Sequence, residues 1–203
     1  GKHVAIEVPA ATSVEECWQL VDTSERTRRH CMMLENCIYD HFELTALNMA
    51  QQGLFGEIIH AEGAYIHALD KFWPLFNDNW RLKFNQTHRG DVYATHGLGP
   101  IALAMEIHRG DRMKSIVSVS SKRIGGEGCS LSGTMNSSII TTEKGKTIIV
   151  QHCISLPRPY SRSFLISGTE GFVQKYPIEQ IAFAPDSDNA ITGEACNEIL
   201  KGY

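Results

Sequence analysis

No stretch of the 203 residues approaches the roughly 20 consecutive apolar residues that cross a bilayer, so the sequence offers no membrane-spanning helix. Positive charge is in slight deficit, with 19 Lys and Arg against 23 Asp and Glu. The resulting −4 gives no broad electrostatic case for nucleic acid. The six cysteines, at 17, 31, 37, 129, 153 and 196, never form C-x-x-C, and the nine histidines never form H-E-x-x-H. No metal is expected. The even cysteine count leaves disulfides open, but small buried thiols are the expectation, because free Cys is among the most buried residue types. Also missing is G-x-G-x-x-G, the glycine-rich turn that cradles a dinucleotide's phosphates. What is present is ordinary for a soluble globular protein, 42% hydrophobic and 21% charged, with enough length to bury a sizeable core.

The first fifty residues alternate between two periods. Lys2 to Ile6 reads as a short buried strand, ended by Pro9, which cannot donate to a ladder. Thr12 with Glu15, or Ser13 with Glu16, offers a capping box for a helix carrying Val14, Trp18 and Val21. Met32 to Asn36 reads as a second strand, with Asn36 to Asp40 a loop at its carboxyl end. Asp40 with Glu43 suggests another capping box, opening a helix through Leu44, Leu47 and Ala50 that Gly53 stops in the left-handed conformation. Strand, helix, strand, helix is the grammar of a parallel α/β unit, whose ligands bind beyond the carboxyl ends of the strands. Glu7 and Asn36 fall at such ends. Because the chain opens directly on strand sequence, trimming at both ends is expected, and the compartment stays open between cytoplasmic and secreted.

From Glu57 the pattern changes. Glu57 to His67 is a long strand, and Asp70 to Arg89 reads as an irregular but packed aromatic loop. A helix is expected from about Leu98 to His108. Strands follow near 113–122, 129–142, 146–156, 161–168 and 171–184, joined by short turns and therefore antiparallel, before a weakly helical tail. The expected fold is α+β: a remnant of a parallel α/β nucleotide-binding domain over 1–38, then over 39–203 an open antiparallel sheet with helices on one face.

Tyr93 and His96 stand three apart at the entrance of the apolar helix, so one helical turn places both on one face. A phenol and an imidazole there can donate and accept protons near neutral pH. Tyr65 and His67 alternate along their strand and share a face. His60 and His152 read as structural strand residues.

Taken together, Glu-Val-Pro at 7–9, Met-Met-Leu-Glu-Asn-Cys at 32–37, Gly-Ala-Tyr-Ile-His at 63–67, Tyr-x-Thr-His-Gly-Leu-Gly-Pro at 93–100 and Pro-Arg-Pro-Tyr-Ser-Arg at 157–162 are similar to glycoside hydrolase family 109, within the wider glucose–fructose oxidoreductase/inositol dehydrogenase family. The resemblance implies an α-N-acetylgalactosaminidase that keeps NAD bound and cleaves through transient C3 oxidation and loss of the C2 proton. It implies Glu7, Val8 and Asn36 beside the nicotinamide. It implies Tyr65, Arg81, Tyr93, Ala94, Thr95, His96 and Tyr160 around the sugar, with His96 on the 3-hydroxyl and Tyr39 or Tyr93, or else His67, taking the C2 proton. No carboxylate pair flanking the bond is then needed.

Three departures matter. Val8 replaces the lysine of the dehydrogenase branch, Val92 stands where that branch has an Asp four residues before its His, and Ala68 replaces an expected Asp after His67. Expected partners are an α-linked N-acetylgalactosamine glycan or related sugar, a nucleotide-binding domain bearing the missing glycines, and a second copy through the sheet. A net sugar oxidoreductase and a non-catalytic dimerisation or binding domain are the alternatives.

Overall fold

A computed structural model describes residues 1–69, 71–76, 80–88, 90–122 and 135–203, with the side chains of Trp73, Phe76 and Arg81 also outside the description. The chain divides into two units, Gly1–Asn36 and Cys37–Tyr203.

In the first unit, β1 (Val4–Ile6) pairs in parallel with β2 (Cys31–Met33), and α1 (Val14–Thr27) connects them. Of the two candidate caps, Ser13 is the one used. Its hydroxyl accepts from the Glu16 N–H at 3.2 Å, while Glu16 Oε2 accepts from the Thr12 N–H at 2.7 Å. Val14, Trp18 and Val21 form the apolar stripe of α1 and remain exposed, as do Val4 and Met32. Cys17 and Cys31 are exposed free thiols rather than the buried ones expected, because they lie on these thinly covered elements.

The second unit opens with a 3₁₀ turn that begins at its border (Asn36–Tyr39), followed by α2 (His41–Gln51). The expected capping box is absent here. Asp40 makes no cap hydrogen bond, because its carboxylate and that of Glu43 are taken up by Lys175. Gly53 does follow the helix in the left-handed region, at φ 79°. The sheet then builds from β3 (Ile58–Ile66), β4 (Met113–Ser120), β5 (Asn136–Thr142), β6 (Thr147–Cys153), β7 (Phe164–Gly168), β8 (Gly171–Gln174), β9 (Gln180–Phe183) and β10 (Ile191–Thr192). Its order is β10-β9-β8-β7-β3-β6-β5-β4.

One correction concerns this sheet. The single strand expected over 171–184 is a hairpin, broken where Pro177 has no N–H to give. The consecutive strands joined by short turns pair antiparallel as expected, and one non-consecutive pair is parallel: β3 lies between β6 and β7, parallel to β6 and antiparallel to β7. The part of the expected strand at 129–134 lies outside the described residues, as does Cys129.

The region expected to be an irregular loop holds a 3₁₀ turn (Trp73–Phe76) and α3 (Trp80–Thr87), whose amide-rich composition hid its helical period. After it, α4 (Ala94–Ala104) starts four residues before the expected Leu98. Gly63 and Gly97 are packing residues. A Cβ on Gly97 would lie 2.7 Å from the Ala64 nitrogen, and one on Gly63 only 2.3 Å from the Gly97 carbonyl oxygen. Both must be bare for α4 to lie directly on β3. Pro100 inside the helix lacks the N–H that would return to His96. With α5 (Gly193–Lys201), the helices cover a core of Phe42, Met49, Phe55, Ile101, Ile148 and Phe164 among others. Ile59, Val117, Val119 and Ile139 stay exposed.

Candidate active site

The contact between Gly63 and Gly97 decides what meets at the mouth of the sheet. Tyr65 lies two residues beyond Gly63 on the same strand face, and Tyr93 and His96 flank the first turn of α4. The Tyr65 ring is therefore 5.4 Å from that of Tyr93 and 5.0 Å from that of His96, while Tyr93 stacks on His96 at 5.5 Å. Ala94 and Thr95 complete this first turn. Along the strand, Tyr65 Oη stands 3.2 Å from His67 Nδ1, and the His67 ring meets Tyr160 edge-on at 4.8 Å. Sequence reasoning thus grouped Tyr65, His67, Tyr93, His96 and Tyr160, and the structure brings them into one chain of rings. Tyr39 stands apart: it is 54% exposed on its 3₁₀ turn, with no ring contact to this chain among the described residues. Arg81 belongs to α3, and its side chain is outside the description.

Burial sets the proton chemistry. It pushes the Tyr65 phenol up to about 12, with Tyr160 and Tyr93 adding to the rise. Tyr65 therefore stays protonated, and its hydroxyl donates to or accepts from His67 Nδ1 according to the imidazole tautomer. Desolvation lowers the His67 imidazole, which favours its neutral form. Burial also raises Tyr160, against the pull of Arg162 nearby.

Four residues that sequence did not assign to the site, His152 among them as a residue read as structural, belong to the same neighbourhood. His152 is opposite Tyr65 in the β3–β6 register and is 1% exposed, with its ring 6.0 Å from both Tyr65 and Tyr93. Its ring nitrogens find no hydrogen-bond partner among the described residues, and burial, with His96 close by, lowers it to about 4. The strand alternation Ile148, Val150, His152 carried this signal, since it aims His152 at the helix-covered face. Asp91 accepts the Tyr93 N–H at 2.9 Å, and burial raises its carboxyl to about 6 against that bond and the charge of His96. Cys37 and Arg162 meet at 2.9 Å beside His96. Nothing in the local spacing of either pointed there.

In the first unit, Glu7, Val8 and Asn36 stand just past the carboxyl ends of the parallel strands β1 and β2. That is where dinucleotides sit in open parallel sheets. The phosphate end has no glycine cradle within these 203 residues.

Among solved structures, the fold is shared with polyol and sugar dehydrogenases. An inositol dehydrogenase homologue from Azotobacter vinelandii in complex with NAD+ matches 94% of this chain and 50% of its own, with a TM-score of 0.72 and 14% identity. A levoglucosan dehydrogenase bound to NADH and levoglucosan matches 94% of this chain and 54% of its own, with a TM-score of 0.69 and 21% identity. The sequence is more specific. Residues 39–203 match the family described as glycosyl hydrolase 109, C-terminal domain, and the chain belongs to glycosyl hydrolase family 109. A family 109 protein of Porphyromonas gingivalis is 55% identical over 97% of this chain and 45% of its own length. An α-N-acetylgalactosaminidase of Bacteroides fragilis is 51% identical over the whole chain and 53% of its own length. The chain therefore spans about half the length of these curated relatives.

Proposed function

We propose that this chain forms the sugar-binding part of an NAD-dependent glycosidase acting on α-linked N-acetylgalactosaminides. The carrying observation is the convergence of Tyr65, Tyr93 and His96 where α4 rests on β3. A helix entrance with two phenols and an imidazole suits a polyhydroxylated ring, which needs donors and acceptors at neighbouring hydroxyls. Family membership and the 51% identical α-N-acetylgalactosaminidase support the substrate class. The likeness in fold to dehydrogenases that bind NAD or NADH supports the cofactor.

In this reading residues 1–38 close a nucleotide-binding domain and 39–203 bind substrate. Glu7, Val8 and Asn36 face the nicotinamide. When bound, NAD supplies the reversible hydride transfer at C3 that makes the neighbouring C2 proton removable. His96 hydrogen-bonds the 3-hydroxyl and takes its proton. Tyr65, held protonated by burial, donates to the sugar or to His67 and is not the base. Between Tyr93 and Tyr39 for the C2 proton, the placement of Tyr93 against His96 favours Tyr93, with His67, beside Tyr65, the further candidate. Ala94, Thr95 and Tyr160 line the sugar. Val8 carries no ionisable group, so the proton work falls to this ring cluster.

The exposed apolar residues of β1 and α1 suit cover by a nucleotide-binding half, and the exposed Val117, Val119 and Ile139 suit a second copy. The test is a redox balance on the chain joined to its nucleotide-binding half. An aryl α-N-acetylgalactosaminide should be cleaved with no net change in NADH absorbance. Accumulating NADH without aglycone release would assign a net sugar oxidoreductase instead, and neither signal would leave a non-catalytic module.

A further inference from the structure

Cys37 is 1% exposed, and its sulfur touches two groups at once. Arg162 Nη1 donates to Sγ at 2.9 Å, and His96 Nδ1 lies 3.3 Å from the same atom. A guanidinium has only donors and keeps its protons, so the sulfur is necessarily an acceptor toward Arg162. That arginine is itself held, with Nη2 3.3 Å from Asp40 Oδ2, and Asp40 is bound in turn by Lys175 at 3.1 Å. The sulfur is thus anchored through a run of charged contacts to Asp40, just ahead of α2, and Lys175, just past β8, and it presents a fixed face to the imidazole.

Imidazole N–H groups are strong donors, and thiols are weak ones with a sulfur able to accept. The ring contact is best made with the proton on Nδ1, pointing at the sulfur. Which nitrogen of a histidine carries the proton is set by the hydrogen bond that the other end makes. With Nδ1 protonated, Nε2 is left as the basic nitrogen.

We propose that Cys37 is a positioning residue that fixes the tautomer and ring orientation of His96, keeping the proton on Nδ1 and the basic lone pair on Nε2. It deepens the proposed function and rests on that reading of His96 as the group that takes the 3-hydroxyl proton. When that proton arrives at Nε2, an N–H bond forms there as the O–H bond breaks. The Nδ1–H bond to sulfur stays intact.

Nitrogen-15 NMR of the 203-residue chain tests this without substrate or cofactor, at about pH 8.5, two units above the reference imidazole value. His96→Gln assigns the signal. In the wild type, Nδ1 should read as pyrrole-type and Nε2 as pyridine-type. Cys37→Ser, whose hydroxyl also accepts, should keep that pattern. Cys37→Ala should shift the tautomer ratio toward Nε2–H by about three- to tenfold, the factor that one neutral hydrogen bond carries. Cys37→Val reads the same loss if the alanine variant does not fold. A pyridine-type Nδ1 in the wild type overturns the proposal, as does an unchanged ratio in a folded alanine or valine variant. Correct tautomers in a protein without glycosidase activity would instead count against the proposed function alone.

Discussion

Replacing Gly97 by alanine separates two physical effects of opposite sign. In an ordinary helix the change is stabilising by about 1 kcal/mol, because glycine has the larger entropy to lose. Here the new Cβ would lie 2.7 Å from the Ala64 nitrogen and 2.8 Å from the Gly63 carbonyl carbon, both backbone atoms of a central strand. Ordinary carbon contacts are about 3.5–4.0 Å, so α4 must retreat from β3 by roughly 1 Å. Overpacking of this kind costs about 1–3 kcal/mol, and a backbone wall places it at the upper end. The net loss is then about 2 kcal/mol. At about 2–4 °C per kcal/mol for a chain of this size, the melting temperature should fall by about 4–8 °C. Calorimetry reads the shift, and Gly63→Ala, with no helical gain to offset its 2.3 Å approach to the Gly97 carbonyl oxygen, should lose more. A higher melting temperature for Gly97→Ala would refute the claim that this contact sets the position of Tyr93 and His96.

Two buried groups predict opposite pH slopes of stability. Asp91 holds its proton in the folded chain up to about 6, whereas an unfolded Asp releases it near 4. Its contribution is therefore complete at low pH and lost as pH rises toward 6. His152 stays neutral in the folded chain down to about 4, so its contribution is complete above about 6.5 and lost as pH falls. In urea unfolding from pH 4 to 7, wild type minus Asp91→Asn should decrease with pH and wild type minus His152→Phe should increase; slopes of one sign would contradict the assignment. Lys175 donates at 2.8 Å to both oxygens of Glu43, whose side chain is only 3% exposed and whose carboxyl burial already pushes up. Lys175→Met should cost about 3 kcal/mol by leaving that carboxylate unpaired, visible as a lower urea midpoint, and an unchanged midpoint would count against it.

Much of this arrangement was legible because it depends on local chemistry. The three-residue spacing of Tyr93 and His96 and the alternation of Tyr65 and His67 are one-element properties, and each survives into the structure. The parallel insertion of β3 beside β6 is not local, and nothing in either strand's composition announces it. That pairing is what carries His152, read as a structural residue, to the back of the ring cluster. The start of α4 was misplaced for a related reason: Gly97 is a poor helix former by any local rule, yet its use is to admit a backbone from 33 residues earlier. Likewise Asp40 and Glu43 look like a cap until Lys175, 132 residues beyond Glu43, claims them.

The central claim concerns a proton at C2. The chain joined to a nucleotide-binding half is incubated in heavy water with an aryl α-N-acetylgalactosaminide, and any released sugar is read by proton NMR. Removal of the C2 proton by a side chain such as Tyr93, which exchanges with solvent, predicts product carrying deuterium at C2. Direct displacement by carboxylates would leave that position untouched. Cleavage with the C2 proton fully retained would contradict the account.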